Sequence, residues 1–300
     1  MPATALLLAA CAPVTPPATA ADARTQGAAL QKSCEGRDGW SDPAPPARIF
    51  GSTYYVGTCG IAVILVTSPK GHVLIDGATA EAVPSILANI RVLGFDPRDI
   101  EYLVGSHEHL DHMGGFAALK AATGAKLMVS AAARPVVETG RTNPADPQAG
   151  EIPDMAPVAV DGILTFEPEP GDIITGKPTR LLSLTPHATP GHTDGGTSWT
   201  WKSCEGKTCI TFAYVDSLTA VSRDGYRFTH HPERVAPFRE TFERVAQLPC
   251  DILITPHPGI SNLFPRLAGA EPLIDASACR RLADAMRTRL DTRLAREAAK

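Results

Sequence analysis

Six consecutive positions in "SHEHLDHMGG", His107 to His112, hold three histidines, a glutamate and an aspartate. They follow the apolar run "IEYLV" (100–104) and precede the helix-like "FAALKAATGA" (116–125). Imidazole nitrogens and carboxylate oxygens are the usual ligands of a borderline divalent metal, which takes about four of them at roughly 2.0–2.2 Å. His107, His109, Asp111 and His112 are too many for one open catalytic site. Alternate residues of an extended segment point the same way, so His107 and His109 can grip one ion from one side. As the chain turns into the next helix, Asp111 and His112 swing towards a second position, and Gly114 and Gly115 relieve crowding there. The loop is therefore half of a two-metal site, and any fold this chain adopts must bring further ligands to it.

The later half of the chain offers those ligands at strand ends. "TPHATPGHTDGG" contains His187 and His192, and "ILITPHPG" carries His257 directly after a strand-like run. His192 and His257 are the better candidates. His72 sits in a "KGH" turn and is expected to be solvated, while His230 and His231 adjoin a proline at a helix start and suit capping or surface roles. Strand-like runs at 53–57, 61–68, 72–77, 100–106 and 126–130 alternate with helices predicted over 81–93 and 113–123. The second half repeats the style with 179–188, a hairpin around 197–215, a helix near 233–247, "CDILITPH" and a helix over 271–298. In that last helix Leu282, Met286, Leu290 and Leu294 recur every four residues, and its arginines read as a solvated face. Trp199 and Trp201 alternate in a strand and suit sheet packing. Pro, Asp and Gly mark 142–157 as the connection between halves. By itself this pattern gives only an α/β class.

The remaining features bear on compartment and partners. With a net charge of -4 and mixed signs along the chain, no basic stripe favours nucleic acid. Residues 1–37 read as an export leader and linker, although no Lys or Arg precedes the apolar run, and "LAAC" ending at Cys11 resembles a lipoprotein box. That places the protein outside the cytoplasm, in the periplasm, with a lipid anchor as an option. Seven cysteines are present, and removing Cys11 with the leader leaves six, which an oxidising compartment could pair. A hairpin turn would bring Cys204 and Cys209 together. Cys250 starts a strand and Cys279 heads the last helix, leaving Cys34 and Cys59. Buried free thiols in a cytosolic enzyme are the competing reading.

"SHEHLDH", "TPGHTDGG" and "TPHPG", in this order, resemble the metallo-β-lactamase superfamily; "YVDSLT", "GTSWTW" and Cys250 with Cys279 are similar to its subclass B3. The resemblance runs from about residue 38 to the carboxyl end. It implies a four-layer αβ/βα sandwich of two mixed sheets, one domain over 38–300 built from halves of about 38–155 and 156–300. It also implies that His107, His109 and His192 bind a first zinc and Asp111, His112 and His257 a second, with a metal-bound hydroxide opening β-lactam rings and Asp111 holding it in line. Ser217 and Thr219 would anchor the substrate carboxylate, with Arg223 a further possibility, and Asp76 would brace the ligand loop. A monomer acting on penicillins, cephalosporins or carbapenems is expected. The alternative is another dinuclear hydrolase of lactones, thiolesters or phosphodiesters. Asp216 discriminates, because a carboxylate bridging the ions from this strand end would favour the alternative. No S-x-x-K or G-x-S-x-G serine motif competes.

Overall fold

A computed structural model describes residues 20–166 and 178–299. Most of the leader, with Cys11, lies outside the described residues. Among these residues, seven strands form one sheet in simple sequence order: β1 (Ala47–Phe50), β2 (Thr53–Tyr55), β3 (Ile64–Val66), β4 (His72–Ile75), β5 (Ile100–Val104), β6 (Lys126–Val129) and β7 (Gly162–Ile163). Four form the second, ordered β11-β10-β9-β8, from β8 (Thr185–Ala188), β9 (Thr197–Glu205), β10 (Thr208–Tyr214) and β11 (Ile252–Ile254). Both are mixed. The first turns from antiparallel to parallel at β4–β5, and in the second β10 pairs antiparallel with β9 and parallel with β11.

Period-two alternation sorts side chains onto the two faces of each sheet. In β4, Val73 and Ile75 point between the sheets while Leu74 points outward; in β10, Ile210, Phe212 and Tyr214 point inward and Ala213 outward. Trp199 is fully buried and Trp201 stacks on Phe212. Helices α2 (Val83–Val92), α4 (Phe116–Thr123) and α5 (Arg134–Thr139) cover the outer face of the first sheet through Ile86, Ile90, Phe116, Leu119 and Val137. Helices α6 (Pro232–Ala246) and α8 (Ala278–Ala298) cover the second through Phe238, Phe242, Leu282, Met286 and Leu290. Helix, sheet, sheet and helix make the four layers that the resemblance implied.

Several elements differ from expectation. Residues assigned to the leader and linker form α1 (Ala20–Ser33), which packs on β1 and α7 (Leu263–Leu267) and buries Leu30 completely. A helix packed on the sheet thus lies within the stretch read as leader and linker. The last helix starts at Ala278, because Asp275 accepts bonds from the Ser277 N–H and hydroxyl while the Arg266 guanidinium binds the Pro272 and Leu273 carbonyls. His72 is buried, its ring edge-on to Phe95 at 5.3 Å, because it opens strand β4. The structure joins Cys34 to Cys59, Cys204 to Cys209 across the β9–β10 hairpin, and Cys250 to Cys279.

Candidate metal centre

Strands β4 and β5 run parallel in one sheet, and β8, β10 and β11 share one direction in the other. Their carboxyl ends meet at one edge, so the residues just beyond them converge. Asp76 follows β4, the His107–His112 loop follows β5 and contains the short helix α3 (Leu110–Met113), His192 follows β8, Asp216 and Ser217 follow β10, and His257 follows β11. Within this edge, nitrogens of His107, His109 and His192 lie within 4.8 Å of one another, and the same limit encloses ligand atoms of His107, Asp111 and His112. His257 joins the second group, its Nε2 3.4 Å from Asp111 Oδ2 and its ring 5.1 Å from that of His112. All six expected ligands are therefore together. His187 is not among them; it bonds the Thr200 hydroxyl at 2.8 Å.

Each imidazole is fixed through the nitrogen that faces away from the cluster. His107 Nδ1 bonds Asp216 Oδ1 at 2.8 Å, His109 Nε2 bonds Asp146 Oδ2 at 3.0 Å, and His112 Nδ1 bonds Asp76 Oδ2 at 3.1 Å. His192 Nδ1 donates to the Thr219 carbonyl at 2.8 Å, and His257 bonds the Gly60 backbone. Such outer partners fix which nitrogen carries the proton and which lone pair is free for a metal. His107 Nε2 and His112 Nε2 are buried with no hydrogen-bond partner, the latter 3.1 Å from the Asp111 Oδ2 carboxylate oxygen. Leaving a buried polar atom unpaired costs about 1–3 kcal/mol. Two such atoms, aimed into clusters of further donors, fit metal ions as their partners.

The electrostatics agree. Burial, aided by the neighbouring imidazoles, holds His107 well below its usual range and His192 down at about 3, so both are neutral lone-pair donors at neutral pH. Burial lowers His112 too, but the adjoining Asp111 and Asp76 outweigh it and push that imidazole up to about 10. Burial raises Asp111, yet His112, His257 and His109 more than reverse this and keep it ionised.

Two carboxylates link the halves and explain the "DGG" of the His192 loop. Glu108 is buried and accepts from the Thr193 hydroxyl at 2.8 Å and the Gly195 N–H at 3.0 Å, clamping the His192 loop to the His107–His112 loop. A Cβ at Gly195 would stand 2.4 Å from Glu108 Oε2, and one at Gly196 would stand 2.6 Å from Asp216 Oδ2. Only glycine admits both carboxylates. Asp216 itself sits behind His107 and is pushed well up by burial.

The expected anchors fare differently. Ser217 and Thr219 line a cavity that also touches His257. The Thr219 carbonyl is already committed to His192. Arg223 is drawn away to the Asp146 and Pro147 carbonyls and stacks near Tyr226. Asp146 had no sequence signal, being one aspartate in a Pro/Gly-rich connector; that connector is pinned over the site by Arg234, which reaches both Asp194 and the Ala145 carbonyl.

Residues 56–211 match the family described as the metallo-beta-lactamase superfamily. The fold is similar to the metallo-β-lactamase MIM-1 from Novosphingobium pentaromativorans, at 50% identity and a TM-score of 0.83, covering 90% of this chain and 98% of that one. BJP-1, a subclass B3 metallo-β-lactamase of Bradyrhizobium japonicum, is 30% identical with a TM-score of 0.72, covering 87% of this chain and 97% of that one. Among curated proteins, the N-acyl homoserine lactonase AttM of Azorhizobium caulinodans is 33% identical over 85 residues, 21% of this chain and 32% of that protein. The chain thus spans about a third of the length of such curated relatives.

Proposed function

The chain belongs to the metallo-β-lactamase superfamily, as a hydrolase of subclass B3, and from this we propose that it opens the amide bond of β-lactam antibiotics with two zinc ions. The observation that carries this reading is the pair of donor clusters meeting at His107, each with a buried nitrogen that lacks a partner. His107, His109 and His192 would hold one ion, and Asp111, His112 and His257 the other. Bound zinc would supply the charge that brings the pKa of a water from about 15.7 towards 7.

The chain's own groups do the rest. With three nitrogen donors and no carboxylate, the first position would leave an ion its full positive charge, suited to an oxygen that gains negative charge as the lactam carbonyl is attacked. Asp111, the one carboxylate among the six, can orient the attacking water through Oδ2. Asp216, Asp146 and Asp76 keep the three imidazoles of the His107–His112 loop from rotating. Ser217 and Thr219 present hydroxyls to the substrate carboxylate. Export fits three cystine bridges, which persist in oxidising compartments, and we take the protein to act as a periplasmic monomer.

The lactonase matches favour the alternative of a lactone substrate. Against it, Asp216 Oδ1 is engaged by His107 Nδ1, the ring nitrogen other than the unpartnered Nε2, while Asp216 Oδ2 is buried without a partner. Turnover of nitrocefin and a carbapenem should exceed turnover of an N-acyl homoserine lactone by orders of magnitude in kcat/KM; the reverse ranking would transfer the assignment.

The protonation pattern gives a second expected result. His112 carries a proton at neutral pH in the metal-free protein and must lose it to become a ligand. Zinc titration by calorimetry at pH 7, in two buffers of different ionisation enthalpy, should show wild type releasing about one proton more than His112→Ala. Equal release would remove His112 from the ligand set.

A further inference from the structure

A cavity of about 230 Å3 opens beside His257 and Ser217 and runs behind the 217–221 loop to helix α8. Its walls are Leu218, Val221, Pro256, Ile260, Leu282 and Met286, with no ionisable side chain beyond Asp216 and His257 at the reaction-site end. Val221 is 47% exposed and Ile260 46%, although most large apolar side chains nearby are buried. Both line the cavity, so its rim exposes apolar surface to water, and each also borders a neighbouring cavity. Met286 is also a wall of the cavities on either side. A flexible thioether with room behind it lets the depth adjust to its occupant.

We propose that this cavity is a specificity subsite for an apolar substituent carried next to the carboxylate of the substrate, which in a cephalosporin is the group at C3. The inference rests on the β-lactam reading above. Ser217 and Thr219, the groups offered to the substrate carboxylate, line the cavity, so the atoms nearest its mouth are those adjoining that carboxylate. The acylamino group sits across the bicyclic ring system from them and does not reach it. Size agrees: an apolar cavity of about 150 Å3 takes up benzene, so 230 Å3 has room for a phenyl-sized group.

The test uses two matched pairs of cephalosporins, one differing only at C3 (hydrogen or a phenyl-bearing group), the other only in the acylamino group. For the wild-type enzyme the phenyl-bearing C3 compound should have a KM lower by about tenfold, the factor that about 1.4 kcal/mol represents. Ile260→Trp, at an exposed rim position where folding is not at risk, should close the mouth and erase that preference. Met286→Phe should do so from behind, and both should leave turnover of the hydrogen-substituted compound within about twofold. A C3 preference absent from the wild type, or unchanged in both variants, or an acylamino preference altered equally, overturns the subsite. No hydrolysis of any cephalosporin removes the premise, and the subsite falls with it.

Discussion

Asp111→Asn is expected to lower β-lactam kcat by about 10²–10⁴-fold, the range seen when a positioned proton-handling group is lost, while leaving the thermal midpoint nearly unchanged. Asparagine keeps the shape and can occupy the same space beside His112 and His257. It removes the only negative charge among the six proposed ligands. With that charge gone, the His112 imidazole also loses the partner that most raises its proton affinity. Steady-state kinetics with zinc in excess, beside a thermal melt, separate the outcomes: kcat within tenfold of wild type would mean that Asp111 neither binds nor orients anything in the reaction.

Asp76→Ala is expected to cost stability as well as activity, by about 3–5 kcal/mol, as for removal of one partner from a buried charged network. Asp76 is fully buried and takes the Ser106 N–H at 2.6 Å, the Ser106 hydroxyl at 2.8 Å, the Tyr214 hydroxyl at 2.7 Å and His112 Nδ1 at 3.1 Å. Alanine leaves all of these facing a void. Its backbone also lies at φ 62°, a left-handed conformation that Asp and Asn tolerate better than Ala. Asp76→Asn should therefore recover much of the stability measured by urea unfolding, yet still weaken binding at the His112 position about 10–100-fold, the usual effect of losing an outer partner of a ligand. Equal unfolding free energies for Asp76→Ala and wild type would refute the bracing role.

The six proposed ligands that the fold brings together were legible in the sequence because each sits in a recognisable local pattern. H-x-H-x-D-H packs four donors into one loop, and His192 and His257 each follow a strand-like run that ends in a Gly- or Pro-rich turn. The strand-like run "HVLIDG" and the hairpin around 197–215 likewise announced β4 and β10. What holds the ligands was less legible, since those contacts span long stretches of chain: Asp146 to His109, Asp216 to His107, Glu108 to Thr193 and Gly195. A lone aspartate in "TNPADPQAG" has no periodicity to mark it. Asp76 was the exception, since its place at a strand end beside the ligand loop suggested a brace. Short elements such as β1 and α7 carry too few residues for a periodic signal, and α1 was hidden by an Ala-rich composition that suits a leader as well as a helix. His72 misled because its neighbours Lys70 and Gly71 belong to a turn while its own ring opens a buried strand.

The dependence of turnover on bound zinc bears most directly on the two-ion centre. Metal-free protein, prepared by dialysis against a chelator and checked for metal content, should not hydrolyse nitrocefin, and activity should return as zinc is added, with binding saturating at two equivalents per chain. Nitrocefin hydrolysis by protein shown to be free of metal, or saturation at a single ion that leaves the His112 proton in place, would contradict it.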